Sequence, residues 1–103
     1  MITRIVRLTF KPQHTNQFEA IFERSSPLIH AFEGCLGVRL LRDVQDSSVF
    51  FTISKWESAE HLNRYRHSEL FVATWASTKK LFAAPAIAHS LEDVHAAHDV
   101  LSQ

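Results

Sequence analysis

Seven histidines, two tryptophans and an arginine set in an apolar pattern carry most of the chemical potential of this 103-residue sequence. His67 lies beside Tyr65 and Arg66, where one helical pattern breaks and the next begins. A side chain there can reach into a cleft, and an imidazole that titrates near neutrality is the usual general base. Its plain alternative is a solvated histidine that caps a helix end. Arg4 falls on the apolar side of an alternating segment, where a charge is costly without a partner. A carboxylate, a backbone carbonyl or an anionic ligand group would meet it, and an internal salt bridge is the expectation. Tyr65, Phe71 and Trp75 can line a pocket for a planar molecule, although aromatics at helical spacing also simply fill cores.

Metal chemistry is not expected. His95 and His98 are three apart and Glu57 and His61 four apart, but neither pair gains the third clustered ligand of a usual zinc site. Gly34 and Gly37 stand apart in a turn and a strand, so no glycine-rich loop can cradle a phosphate, and no nucleotide cofactor is expected. Cys35 is the only cysteine; it has no partner for an internal disulfide and no local activating pattern, and reads as a small buried hydrophobe. Eleven basic side chains balance eleven acidic ones, so there is no net field to gather nucleic acid or an anionic membrane. Arg4 and Arg7 interrupt what would have to be an apolar signal core, and no run approaches transmembrane length. The cytoplasm is the expected compartment.

The elements that must position these side chains follow from the periodicity. Ile2 to Phe10 alternates, with Ile2, Arg4, Val6, Leu8 and Phe10 on one face. From about Thr15 the apolar residues Phe18, Ile21, Phe22, Leu28, Ile29 and Phe32 recur at helical spacing to Phe32, with Pro27 as a kink and Gly34 as the stop. Leu36 to Arg42 and Val49 to Trp56 form a hairpin around the turn residues Asp43 to Ser48. Ser58 caps a short helix to about Arg66; Ser68 caps another that carries Leu70, Phe71, Thr74, Trp75, Thr78, Leu81 and Phe82. Ala86 to Glu92 is a last strand. Residues 1–92 thus make one domain, and residues 93–103 a tail with weak helical patterning, available to pack on a partner subunit.

Strand, helix, strand, strand, helices, strand is the split βαβ order of ferredoxin-like α+β folds, one antiparallel sheet with its helices on one face. Ile5 and the run Val49-Phe50-Phe51 leave apolar residues on the helix-free face as well. A short chain also covers its apolar surface poorly alone. A homodimer that packs sheet on sheet is the expected remedy.

The stretch from Phe50 through Lys55-Trp56-Glu57-Ser58, continued by Leu62-Asn63-Arg64-Tyr65-Arg66-His67-Ser68-Glu69-Leu70-Phe71, resembles the antibiotic biosynthesis monooxygenase domain family. Met1 to Pro12 and Phe32-Glu33-Gly34-Cys35 also fit its pattern. The resemblance implies a dimeric α+β barrel with a pocket in each subunit between sheet and helices. It also implies oxygenation of a phenol- or quinol-like aromatic by molecular oxygen, without a metal or flavin of the protein's own. It places Trp56 near the pocket mouth, where its ring can stack on an aromatic ligand. The Asn expected one turn of the pattern earlier falls near Thr52. In the haem-degrading branch the key Asn, Trp and His positions correspond here to Val6, Tyr65 and Trp75. All three are replaced, and indole cannot ligate iron. The other implied class is a dimeric binding or stress-associated domain that holds a small apolar ligand without turning it over.

Overall fold

Period-two and period-3.6 patterning alternate along the chain, and the backbone follows them in the computed structural model, which describes residues 1–95. The order is β1 (Ile2–Thr9), α1 (Thr15–His30), β2 (Cys35–Arg42), β3 (Val49–Trp56), α2 (Ala59–Arg66), α3 (Glu69–Lys79) and β4 (Ile87–Leu91). The four strands form one antiparallel sheet in the order β2-β3-β1-β4, which is the ferredoxin-like α+β arrangement. The sequence-based boundaries differ by a residue or two at several ends. β1 stops at Thr9, and Phe10 makes a single bridge to Phe82 instead. The first helix ends at His30 rather than Phe32: the amide of Phe32 turns back to the carbonyl of Ile29, and Gly34 then adopts φ +87°. A side chain at Gly34 would strike the His61 ring as well as the backbone's own limits. Pro27 does not break α1, which continues through it.

Local chemistry accounts for the two short helices. The Ser58 hydroxyl accepts the His61 amide, and the Ser68 hydroxyl accepts the Phe71 amide, each satisfying a donor that the first turn leaves free. Glu60 and Glu69 sit in those first turns, where the helix dipole favours negative charge.

Register decides which side chains face the helices. Leu8 pairs with Phe50, Val6 with Thr52, Arg4 with Ser54 and Ile2 with Trp56, so these pairs form successive rows beneath the helices. Two apolar clusters close the ends of that layer. Leu8, Phe10, Phe18, Phe50 and Leu81 fill one end; Ile29, Trp56 and Leu62 fill the other. The opposite face of the sheet carries Ile5 opposite Ile53 and Leu41 opposite Phe51, and neither cluster includes any of them. Ile87 and Leu91 on the edge strand β4 are exposed. Among the described residues no helix is long and apolar enough to cross a membrane. Most of the tail, residues 96–103, lies outside the described residues; 93–95 belong to no helix or strand.

Candidate active site

Between the two apolar clusters the helix-facing rows of the sheet change character. The Phe50 row and the Trp56 row present large rings, but the intervening rows present Val6, Thr52 and Ala88, then Arg4, Ser54 and Ser90. Short and polar side chains cannot span the distance to the helices. A cavity of about 320 Å³ remains above them. Its walls are apolar and aromatic on the helix side, where Phe18 and Phe22 come from α1 and Phe71 and Trp75 from α3. Polar groups converge from several elements: Arg4, Thr52 and Ser54 from the sheet, Tyr65 and Arg66 from the last turn of α2, and Ser25 and Thr78 from α1 and α3. Ser25 and Thr78 are already committed, donating to the carbonyls of Ile21 and Thr74. No histidine, aspartate or glutamate lines the cavity among the described residues.

The sequence candidates divide between those that reach this space and those that do not. Arg4, Tyr65, Phe71 and Trp75 all line it. Phe71 and Trp75 stack on each other, with ring centroids 5.8 Å apart and planes 10° from parallel, and together give the cavity an aromatic side. Trp56 does not stand at the pocket mouth. It is fully buried behind the wall, and its Nε1–H donates to the Ser54 hydroxyl at 3.0 Å. The indole stacks on the Tyr65 ring at 4.8 Å, so it fixes two lining residues without touching the cavity. The reason is its place at the end of β3, where the sheet row runs beneath Phe32 and the helices close over it.

His67 also departs from its expected place. It is exposed, its Nδ1–H donates to the Asn63 carbonyl at 2.8 Å, and it caps the end of α2 outside the cavity. The break between helices is tight, with the Ser68 amide and hydroxyl both returning to the Tyr65 carbonyl, and it turns the imidazole outward. Tyr65, two residues earlier, takes the inward position. Burial, with a smaller contribution from the Cys35 thiol, pushes its phenol from 10 up to about 12, so it stays a hydrogen-bond donor at neutral pH.

Arg4 lacks the salt bridge expected of it. Its guanidinium donates to the Ser90 hydroxyl at 2.8 Å, and no carboxylate among the described residues pairs with it. Burial first, and the nearby Arg66 charge second, hold its pKa below the usual arginine range. Cys35 behaves as a half-buried hydrophobe, its thiol raised by burial. Among the described residues no group of three or more His, Cys, Asp or Glu side chains could hold a metal ion.

Sequence reasoning singled out neither Ser54 nor Arg66. The signal for Ser54 was available: it and Thr52 are hydroxyls at the helix-facing positions of β3, between Phe50 and Trp56. Arg66 offered no such signal, since a basic residue in the last turn of a helix is ordinary.

No curated protein matches the chain. Solved structures do. Rv0793 from Mycobacterium tuberculosis superimposes with a TM-score of 0.85 at 18% identity, over 94% of this chain and 98% of that one. PA3566 from Pseudomonas aeruginosa gives 0.80 at 24% identity, over 91% and 94%. SnoaB from Streptomyces nogalater, described as a cofactor-independent oxygenase, gives 0.81 at 17% identity, over 91% and 93%. At such identities the likeness is one of fold. The sequence itself goes further, because the family model for antibiotic biosynthesis monooxygenases matches residues 1–77, the stretch that builds β1 through most of α3 and supplies nearly all of the cavity wall. The chain belongs to the antibiotic biosynthesis monooxygenase family.

Proposed function

We propose that the cavity is the substrate site of a cofactor-independent monooxygenase acting on a small phenol- or quinol-like aromatic with molecular oxygen. The observation that carries this reading is the cavity's division into an aromatic side and a group of hydrogen-bond donors. Phe71 and Trp75 offer aromatic surface for a planar ring to pack against, while Thr52, Ser54 and Tyr65 offer hydroxyls to an oxygen substituent. The volume lies near the lower end for ligand sites and suits two or three fused rings.

The chemistry then needs little from the protein. Oxygen reacts slowly with a closed-shell phenol, and ionisation to the phenolate makes electron transfer feasible. The phenol proton leaves to solvent, since no histidine or carboxylate lines the site among the described residues. The hydroxyls of Tyr65 and Thr52 and the positive charge of Arg4 favour the phenolate by preorganised electrostatics. One electron passes to oxygen, the radicals combine at ring carbon, and the resulting hydroperoxide loses water to leave a carbonyl. The balance is an aromatic C–H and its phenol O–H plus O2 going to a quinone plus H2O, with the substrate supplying all four electrons.

Oxygen uptake by metal-stripped protein across quinols, anthrones and catechols tests the reading. Uptake should exceed autoxidation and fall by about 100-fold in Tyr65→Phe, the scale of one lost donor to a developing oxyanion. His67→Ala should leave it unchanged. No uptake across the panel would move the assignment to the second reading, a domain that holds an aromatic ligand without turning it over. That alternative is favoured by the absence of a lining base among the described residues and by Thr52 where the resemblance expects an Asn.

The same reading includes a homodimer. Ile5, Ile53, Phe51 and Leu41 on the helix-free face, with exposed Ile87 on the far side of Arg7, form an apolar patch bordered by Arg7, Arg39 and His89 that a second sheet can cover. Light scattering at micromolar concentration should give twice 11.8 kDa, and the mass of one chain would overturn it.

A further inference from the structure

Among the described residues two arginines share the cavity wall, and no acid shares it with them. Arg4 rises from the middle of the sheet and Arg66 closes α2, and both line the same space. The ion pairs among the described residues engage other cations, Arg42 with Glu19 and Arg64 with Glu33, and leave Arg4 and Arg66 without a carboxylate. Arg4's one hydrogen bond, to Ser90, uses a fraction of five donor hydrogens. Like charges converging on a partly apolar space raise the energy of the empty site and lower that of a site holding an anion. A guanidinium also presents a planar fork that matches a carboxylate.

We propose that the cavity selects an aromatic acid: a fused-ring ligand whose carboxylate is received by Arg4 and Arg66 while its rings lie against Phe71 and Trp75. The inference rests on the cavity being the substrate site and narrows the substrate class, from any phenol of suitable size to one that also bears a permanent negative charge. The sheet supplies the geometry. Arg4 is on the helix-facing side only because β1 alternates in register with Ser54 and Ser90, and Arg66 reaches the same space because α2 ends there. A ligand without a carboxylate would leave at least one of the two positive charges without a counter-charge.

The test uses two isosteric probes, 2-naphthoate and 2-naphthamide, titrated into the full chain by calorimetry at low and at physiological salt. Naphthoate should bind about tenfold or more tightly than the amide, since hydrogen bonds to a charged group exceed neutral ones by that much. The ratio should fall toward one in Arg4→Gln and in Arg66→Gln, and persist in Arg24→Gln, which removes an exposed charge from α1. Equal affinity of the wild type for the two probes would overturn the proposal, and so would a ratio that survives both cavity substitutions. The wild-type comparison needs no variant, so a folding defect cannot obscure it. Nor does it need turnover. A protein that prefers naphthoate but consumes no oxygen would refute the oxygenase reading alone, and one that oxygenates quinols while binding both probes equally would refute the acid selectivity alone.

Discussion

The end of the sheet around Phe10 and its middle around Arg4 are built from the same strands under the same helices, yet one is solid and the other hollow. At the Phe10 end every contributor is a large ring or leucine: Phe10 stacks on Phe18 at 4.3 Å, and Phe50 meets both edge-on. That end is also laced shut, with the Lys11 amide donating to Leu81 and the Ala83 amide to Thr9. Six residues back from Phe10 the row reads Arg4, Ser54 and Ser90, and the cavity lies above it. A strand can thus carry a packed core and a cavity in successive rows of one face. The difference is made by side-chain volume and polarity alone.

The largest effect should come from hollowing the solid end. Phe10→Ala removes a ring that is 1% exposed and contacts three other phenylalanines, and should cost about 3–5 kcal/mol in urea denaturation. A loss below about 1 kcal/mol would mean that this end, too, can tolerate a void, and the contrast would collapse.

Much of this is legible in the amino-acid sequence. The strands and helices fall out of the apolar period, and Arg4's inward face follows from its even position in β1. What periodicity cannot convey is which of two neighbours turns inward at a helix break. His67 and Tyr65 are two residues apart, about 200° around a helix, so one faces the cavity and the other solvent. The difference was set by packing of Tyr65 on Trp56, a contact across elements. Trp56 was misplaced for a related reason: strand alternation fixes its face but says nothing of depth along the sheet.

Next in size is the join between the hollow and the second apolar cluster. The Ser54 hydroxyl accepts the hydrogen of the buried Trp56 indole. Ser54→Ala leaves that donor without a partner and should cost about 2 kcal/mol in the same assay, the penalty for an unsatisfied buried polar group. In a Trp56→Phe background Ser54→Ala should cost clearly less than it does alone, because the donor is already gone. If the single variant were as stable as wild type, Ser54 would serve the cavity only.

Tyr65 makes the boundary sensitive to alkaline pH. Its folded-state pKa of about 12 lies above the ordinary 10, so the unfolded chain gives up the phenol proton first. The stabilisation is complete below pH 10 and is lost as pH rises from 10 toward 12. Because the ring borders the cavity and is incompletely desolvated, the loss should amount to between about 1 and 2 kcal/mol rather than the full shift. Urea midpoints taken from pH 9 to 12 should fall in the wild type more steeply than in Tyr65→Phe. Parallel curves for the two proteins would place the Tyr65 hydroxyl in open solvent.

The smallest stability change should come from the residue most responsible for the hollow. Arg4 contributes one hydrogen bond to Ser90, on the exposed edge strand, and its charge is half-buried near that of Arg66. Arg4→Met keeps an apolar stem of similar length and removes the desolvated charge together with the repulsion. Losing an unneeded half-buried charge offsets losing the bond, and the variant should stay within about 1 kcal/mol of wild type in urea denaturation. A loss above about 2 kcal/mol would show that Arg4 ties β1 to β4 and belongs with the solid end. A residue that costs little to remove from the fold, yet occupies a helix-facing row where leucine or phenylalanine would add stability, is what the proposed contact between Arg4 and an anionic ligand predicts.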